Sequence, residues 1–290
     1  MSAPDLQVLR SVLYMPSSNA RAVEKARTIP ADAIIFDLED AVAPDAKQTA
    51  RTRAVEAVRS GQYGRRVLTI RCNGLDTPWG EDDLLEAATS GATAVVIPKV
   101  SGVEHLAQVV AVLDKAGAPE ALAVWAMVET PTAVLDVRAI ASADRVAALV
   151  LGTNDLAKEL RAALVPGRAP LLPHLATTLL AAREAGVAVL DGVYNDVKDL
   201  AGFQAECVQG FEMGFDGKTL VHPTQVEVAN RVWAPGEQEL AYAHRVLAAF
   251  DEALAQGRGV ATVDGRMIEN LHVDNARRTL SVAEAVADLG

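Results

Sequence analysis

Short apolar runs rich in β-branched residues recur along this chain, each followed by a longer stretch with helical spacing, and that alternation constrains the fold more than any other feature. The runs are Ser11–Tyr14, Ala33–Phe36, Val67–Ile70, Ala94–Ile97, Ala123–Val128, Val146–Leu151, Val187–Leu190 and, weakest, Gly217–Val221. Between them lie helix-like segments such as Asn19–Arg27, Gln48–Ser60, Gly102–Ala116, Thr132–Ser142 and Leu172–Glu184. The runs are apolar throughout and do not alternate, the pattern of a parallel sheet covered on both faces. Eight such units predict an α/β fold with a closed TIM (β/α)8 barrel over residues 1–230. An open doubly wound sheet is the alternative.

After Pro223 the alternation stops. Gly236–Gln256 reads as one helix whose apolar stripe is Leu240, Ala243, Val246, Leu247, Phe250 and Leu254. Gly257, Gly259 and Gly265 bracket a β-like piece, Val260–Val263, and a closing helix is expected near Asp274–Leu289. Residues 231–290 are therefore expected to form a C-terminal helical extension. It would pack on its own barrel or reach a neighbouring subunit.

Composition narrows the function. Half of the 290 residues are apolar, enough for a large core. No apolar run approaches the ~20 residues needed to cross a bilayer. Met1–Arg10 carries Asp5 and no apolar leader core, so neither secretion nor a membrane partner is expected. Cys72 and Cys207 fit no zinc or redox spacing and are expected as buried thiols in a reducing cytoplasm. The net charge of −11 argues against nucleic acid, whose binders draw affinity from Lys and Arg. An anionic small molecule would need a local basic pocket or a metal.

In such a barrel, catalytic groups stand at the C-terminal ends of strands. Glu129 and Asp155 end consecutive apolar runs. Neighbouring strands lie ~4.8 Å apart, so both carboxylates could hold one ion. Two carboxylates plus water and substrate oxygens is the usual Mg²⁺ arrangement, and Mn²⁺ accepts the same oxygen ligands. The competing reading of Asp155 is a cap on the helix that Leu156 begins. Arg71 is the base that ends the third run, either a clamp on a substrate carboxylate or oxyanion or a structural partner of Asp37 or Glu39. Asp37, Glu39 and Asp40 are too close together to be ionised and unpaired. Lys99 and Lys218, at other strand exits, are expected to neutralise part of that cluster. Glu39 and Asp40 are expected behind metal-bound waters and Asp37 in a structural role, unless the three form an ordinary solvated loop. Gly217-Lys218-Thr219 is not a phosphate loop, because Glu212 stands where that motif requires glycine. No metalloprotease His pair and no G-x-S-x-G elbow occurs.

Eight stretches carry a family resemblance: Arg10–Ala26, Ala31–Val42, Ile70–Gly74, Val95–Val100, Val128–Thr130, Leu151–Ala157, Gly217–Val226 and Asp264–Leu280. With these the chain resembles the citrate lyase beta-subunit-like CoA-ester lyases of the HpcH/HpaI aldolase superfamily. The resemblance implies Mg²⁺ on Glu129 and Asp155, and substrate binding by Arg71. It implies cleavage of a malyl-, methylmalyl- or citramalyl-CoA-like thioester to an acyl-CoA and glyoxylate or pyruvate. It further implies a trimer or hexamer whose C-terminal lid closes over a neighbouring subunit's site. Arg21 and Lys25 match basic positions that would meet CoA phosphates, or else form a solvated helix face. The lid motif ends in Glu269 where many family lyases have Asp, so Glu269 is the expected acid/base, with Asp264 as alternative and a plain surface position as the competing reading. Other readings are a malyl-CoA thioesterase, a citryl-carrier-protein lyase, a CoA-independent 2-oxo-acid aldolase and a non-catalytic paralogue.

Overall fold

The structure, a computed structural model, describes residues 8–289. Eight parallel strands close into a barrel in chain order: β1 (Ser11–Pro16), β2 (Ala33–Asp37), β3 (Val67–Arg71), β4 (Ala94–Ile97), β5 (Ala123–Val128), β6 (Val146–Leu151), β7 (Ala188–Asp191) and β8 (Gly217–Leu220). The closed TIM barrel expected from the sequence is what forms, and the open sheet is excluded by the direct pairing of β1 with β8. At that seam a side chain on Gly217 would run into the Leu9 carbonyl, so glycine lets the first and last strands approach.

The helices between the strands are α1 (Ala20–Ala26), α2 (Lys47–Arg59), α3 (Gly80–Ala88), α4 (Val103–Lys115), α5 (Pro131–Leu135), α6 (Val137–Ala141), α7 (Thr153–Leu160), α8 (Leu172–Ala185) and α9 (Leu200–Met213), followed by α10 (Val226–Val232). The single helix expected over Thr132–Ser142 is two, because Asp136 leaves helical geometry at φ −106°, ψ 10°. Strand residues of one alternating set, among them Val12, Ile35, Val96, Trp125, Met127 and Val150, pack into one buried apolar cluster. Beyond that cluster the strands end in polar residues.

Leu9–Val232 make one compact unit and Trp233 onward belongs to a second. The second unit contains α11 (Glu237–Ala255), a hairpin of β9 (Ala261–Val263) and β10 (Arg266–Ile268), and α12 (Asn270–Leu289). Val246, Phe250, Ile268 and Val273 form its own small core. The Asp264-Gly265 turn has φ of 49° and 75°, the two left-handed residues that a tight hairpin turn uses. Among the described residues no helix is long and apolar enough to cross a membrane.

Candidate active site

The register of β2 against β3 pairs Asp37 with Arg71 at the strand exits. Arg71, 9% exposed, donates from Nε and Nη2 to the two Asp37 oxygens, each at 2.7 Å. Its Nη1 lies 2.7 Å from Glu39 Oε2, and its guanidinium stacks 4.8 Å from the Tyr14 ring centroid. The structural-partner reading of Arg71 is thus realised. It does not exhaust the group, because Nη1 and Nη2 each carry a second N–H. Asp37 also accepts the Glu39 N–H at 2.9 Å and the Ala41 N–H at 3.3 Å, so it organises the loop in the structural role expected of it.

Lys99 joins this corner to the next. Its Nζ donates to Glu39 Oε1 at 2.8 Å, and its backbone N–H donates to Glu129 Oε1 at 2.7 Å. The backbone of Lys99 is left-handed, with φ 48°. A β-carbon-bearing residue there costs roughly 1–2 kcal/mol, yet the turn is what aims that N–H at Glu129. Burial lowers the Lys99 pKa, but the Glu39 hydrogen bond and charge outweigh it and push the ammonium up to about 12.

Glu129 is 2% exposed at the exit of β5. Its carboxylate lies against the backbone of Gly152 at the exit of β6, where a Cβ would overlap its Oε2 and Cβ. Burial raises its pKa to about 7, with the charges of Glu39 and Asp155 adding to that and the Lys99 N–H and Arg71 opposing it. Asp155 therefore stands near enough for its charge to be felt. It lies inside the first turn of α7, whose cap position is Gly152 and has no side-chain capping bond, so capping is not what Asp155 does.

Five carboxylates, Asp37, Glu39, Asp40, Glu129 and Asp155, share this rim with three cations, Lys47, Arg71 and Lys99. Glu39 Oε2 is buried with no hydrogen-bond partner, since Arg71 Nη1 is near but out of line. Among the described residues no three His, Cys, Asp or Glu side chains converge as a ready-made metal cage. Excess carboxylate, an unsatisfied buried oxygen and a glycine-lined bed for Glu129 fit a hard divalent cation that takes one or two carboxylates and completes its shell with water. A cleft of about 610 Å³ opens beside this corner, bounded by Glu39, Lys99, Leu75, Asp76, Pro98 and Glu104.

Several expected site residues fall elsewhere. Lys218 does not neutralise the Asp37 cluster. It is the second residue of β8 rather than its last, fully buried, and its Nζ meets Asp191 Oδ2 at 2.9 Å and Glu206 Oε1 of α9 at 2.8 Å. Asp40 is exposed, and it acts on Lys99 and Lys47 through space. Arg21 and Lys25 stand exposed on α1. Glu269 is exposed between β10 and α12 in the second unit, where its N–H donates to His272 Nδ1 at 3.2 Å. Asp264, the alternative acid, pairs with Arg245 at 2.9 Å. Lys47 adds a cation that the strand exits do not announce: its buried ammonium donates to the Leu38 and Glu39 carbonyls at 2.8 Å each and to Asn73 Oδ1 at 2.7 Å. A lone lysine on the inward face of a helix was the signal. Tyr14, beneath Arg71, sits inside an apolar run and gave none.

The model of the HpcH/HpaI aldolase/citrate lyase family matches residues 10–223. The chain belongs to that family. A protein of Cereibacter sphaeroides named (3S)-malyl-CoA thioesterase is 49% identical over 97% of this chain and 96% of its own. The citrate lyase subunit beta of Escherichia coli is 34% identical over 95% and 93%. Among solved structures, CitE from Mycobacterium tuberculosis in complex with magnesium, acetoacetate and coenzyme A aligns with a TM-score of 0.77 at 28% identity, covering 94% of this chain and 97% of that one. The named members of the family are enzymes, and both the barrel and the order of its motifs agree with that membership.

Proposed function

We propose that this chain is a Mg²⁺-dependent enzyme acting on a malyl-type CoA thioester, and that it hydrolyses the thioester to a free acid and CoA. The observation that carries the reading is near-full-length identity of 49% to a (3S)-malyl-CoA thioesterase, in a chain whose Glu129, Asp155 and Arg71 share one rim. Bound at Glu129 and Asp155, the cation would act as Lewis acid and template for the carboxylate and neighbouring oxygen of the substrate. Arg71 directs its spare N–H groups at the oxyanion that forms on the thioester carbonyl. Asp37 and the Tyr14 ring hold that guanidinium still, which keeps the donors preorganised. Arg21 and Lys25, exposed on α1, would meet the phosphates of the CoA handle. Glu269 is the acid/base delivered from the second unit, in an oligomer where that unit serves a neighbouring copy.

Carbon–carbon cleavage is the second reading, favoured by the citrate lyase beta relatives and the family model. In it the substrate hydroxyl loses its proton, the adjacent C–C bond breaks, glyoxylate leaves, and the acetyl-CoA enolate is reprotonated. One assay separates the two. Purified protein with Mg²⁺ and (3S)-malyl-CoA is followed for free thiol and for glyoxylate. Thiol without glyoxylate is expected; glyoxylate without thiol establishes the lyase, and neither product overturns both.

A further inference from the structure

Lys99 is the one fixed cation among the described residues lining the 610 Å³ cleft, whose walls include the acids Asp76 and Glu104 and a half-buried His105 that burial keeps below its ordinary pKa. Its side chain is 51% exposed, although it is tied to Glu39 at 2.8 Å. An ammonium has three N–H donors, so two remain for a visitor in the cleft. The same residue touches two acids of the rim, through its backbone bond to Glu129 and its ammonium bond to Glu39. Glycine would adopt φ 48° without penalty. A lysine side chain therefore stands at a position whose backbone geometry works against it.

We infer that Lys99 is a charge-setting residue with two opposed effects: its ammonium holds down the affinity of the rim for a divalent cation and anchors an anionic, carboxylate-bearing ligand. A positive charge beside carboxylates that accept a cation repels that cation, and the same charge attracts an anion arriving past Asp76 and Glu104. This rests on the reading of Glu129 and Asp155 as metal ligands. Lys99 makes no covalent contribution. It acts as a specificity-determining residue that ties cation occupancy to anion binding.

The test is calorimetry on the full chain with MgCl₂ alone, then with pyruvate as the anionic probe at saturating Mg²⁺. Lys99→Met is expected to tighten Mg²⁺ about fivefold and to weaken pyruvate about tenfold, magnitudes typical of one partly exposed charge. Lys99→Arg restores both toward wild type. Lys99→Gly, which frees the backbone of its left-handed penalty and keeps the N–H for Glu129, is expected to reproduce the Met pattern and covers any folding failure of Lys99→Met. A purely structural lysine would weaken both ligands together. Affinities that move in the same direction, or not at all, in both Lys99→Met and Lys99→Gly overturn the inference. Absence of Mg²⁺ uptake by the wild-type protein overturns the metal reading, and the inference with it.

Discussion

Glu129 shows how much one buried acid decides. Its folded pKa of about 7 exceeds the ordinary value of 4.5, so between these the folded chain holds a proton that the unfolded chain has lost. Stability of the metal-free protein should therefore fall as pH rises from about 4.5 to 7, by about 3 kcal/mol in all. Urea titrations across that window check this, and Glu129→Gln should remove the slope. A cation needs the carboxylate, so the Mg²⁺-induced rise in Tm should be larger at pH 8 than at pH 6. A flat Mg²⁺ effect would show that Glu129 is not a ligand. Gly152 is the second lever. Gly152→Ala places a methyl group where the Glu129 carboxylate lies, and should weaken Mg²⁺ by about tenfold or more in calorimetry while leaving the barrel folded.

Among the elements, β7 and β8 carry a charge cluster that belongs to stability. Asp191 takes Arg168 Nη1 at 2.6 Å and Lys218 Nζ at 2.9 Å, and Glu206 takes the same ammonium at 2.8 Å, all inside the protein. Burial works against ionising Asp191, yet Lys218 and Arg168 hold its pKa below the usual carboxylate range. Lys218→Met leaves two acids short of a partner and should cost about 3–5 kcal/mol in chemical denaturation. It should leave the Mg²⁺ affinity of whatever protein remains folded unchanged. Lys218 is second in its run whether that run ends at Leu220 or at Val221, so the sequence gives no reason to put it at the strand exit; the register pairs it with Asp191, and its ammonium turns to Asp191 and Glu206. Elsewhere the strands were legible, since Ala94–Ile97, Ala123–Val128 and Val146–Leu151 form as read from their apolar runs. The helices α3 and α9 carry no clear signal in the sequence: acids crowd the first turn of α3, and α9 mixes polar and apolar residues with two glycines. Long-range ties such as Lys47 to Asn73 and Lys99 to Glu129 leave no local pattern, because the chain's closure alone brings them together.

At the scale of the molecule, the proposal that Glu269 works on a neighbouring copy is tested by complementation. Glu269→Ala and Arg71→Ala should each lower turnover on the order of 100-fold or more. Mixed after joint refolding, they should regain part of the activity, because some sites then take an intact rim from one chain and an intact acid from another. Mixing without recovery would confine Glu269 to its own subunit or to no role at all. The β1–β8 seam has its own consequence. Ser11 pairs with Lys218, so the opening strand waits for a mate that is the last barrel strand to be synthesised. At 5–20 residues per second that wait is on the order of ten seconds or longer. Through it, an apolar ribbon with unpaired amides is held out to other nascent chains. Chaperone demand and aggregation during overexpression should therefore track changes at Gly217, far from any chemistry.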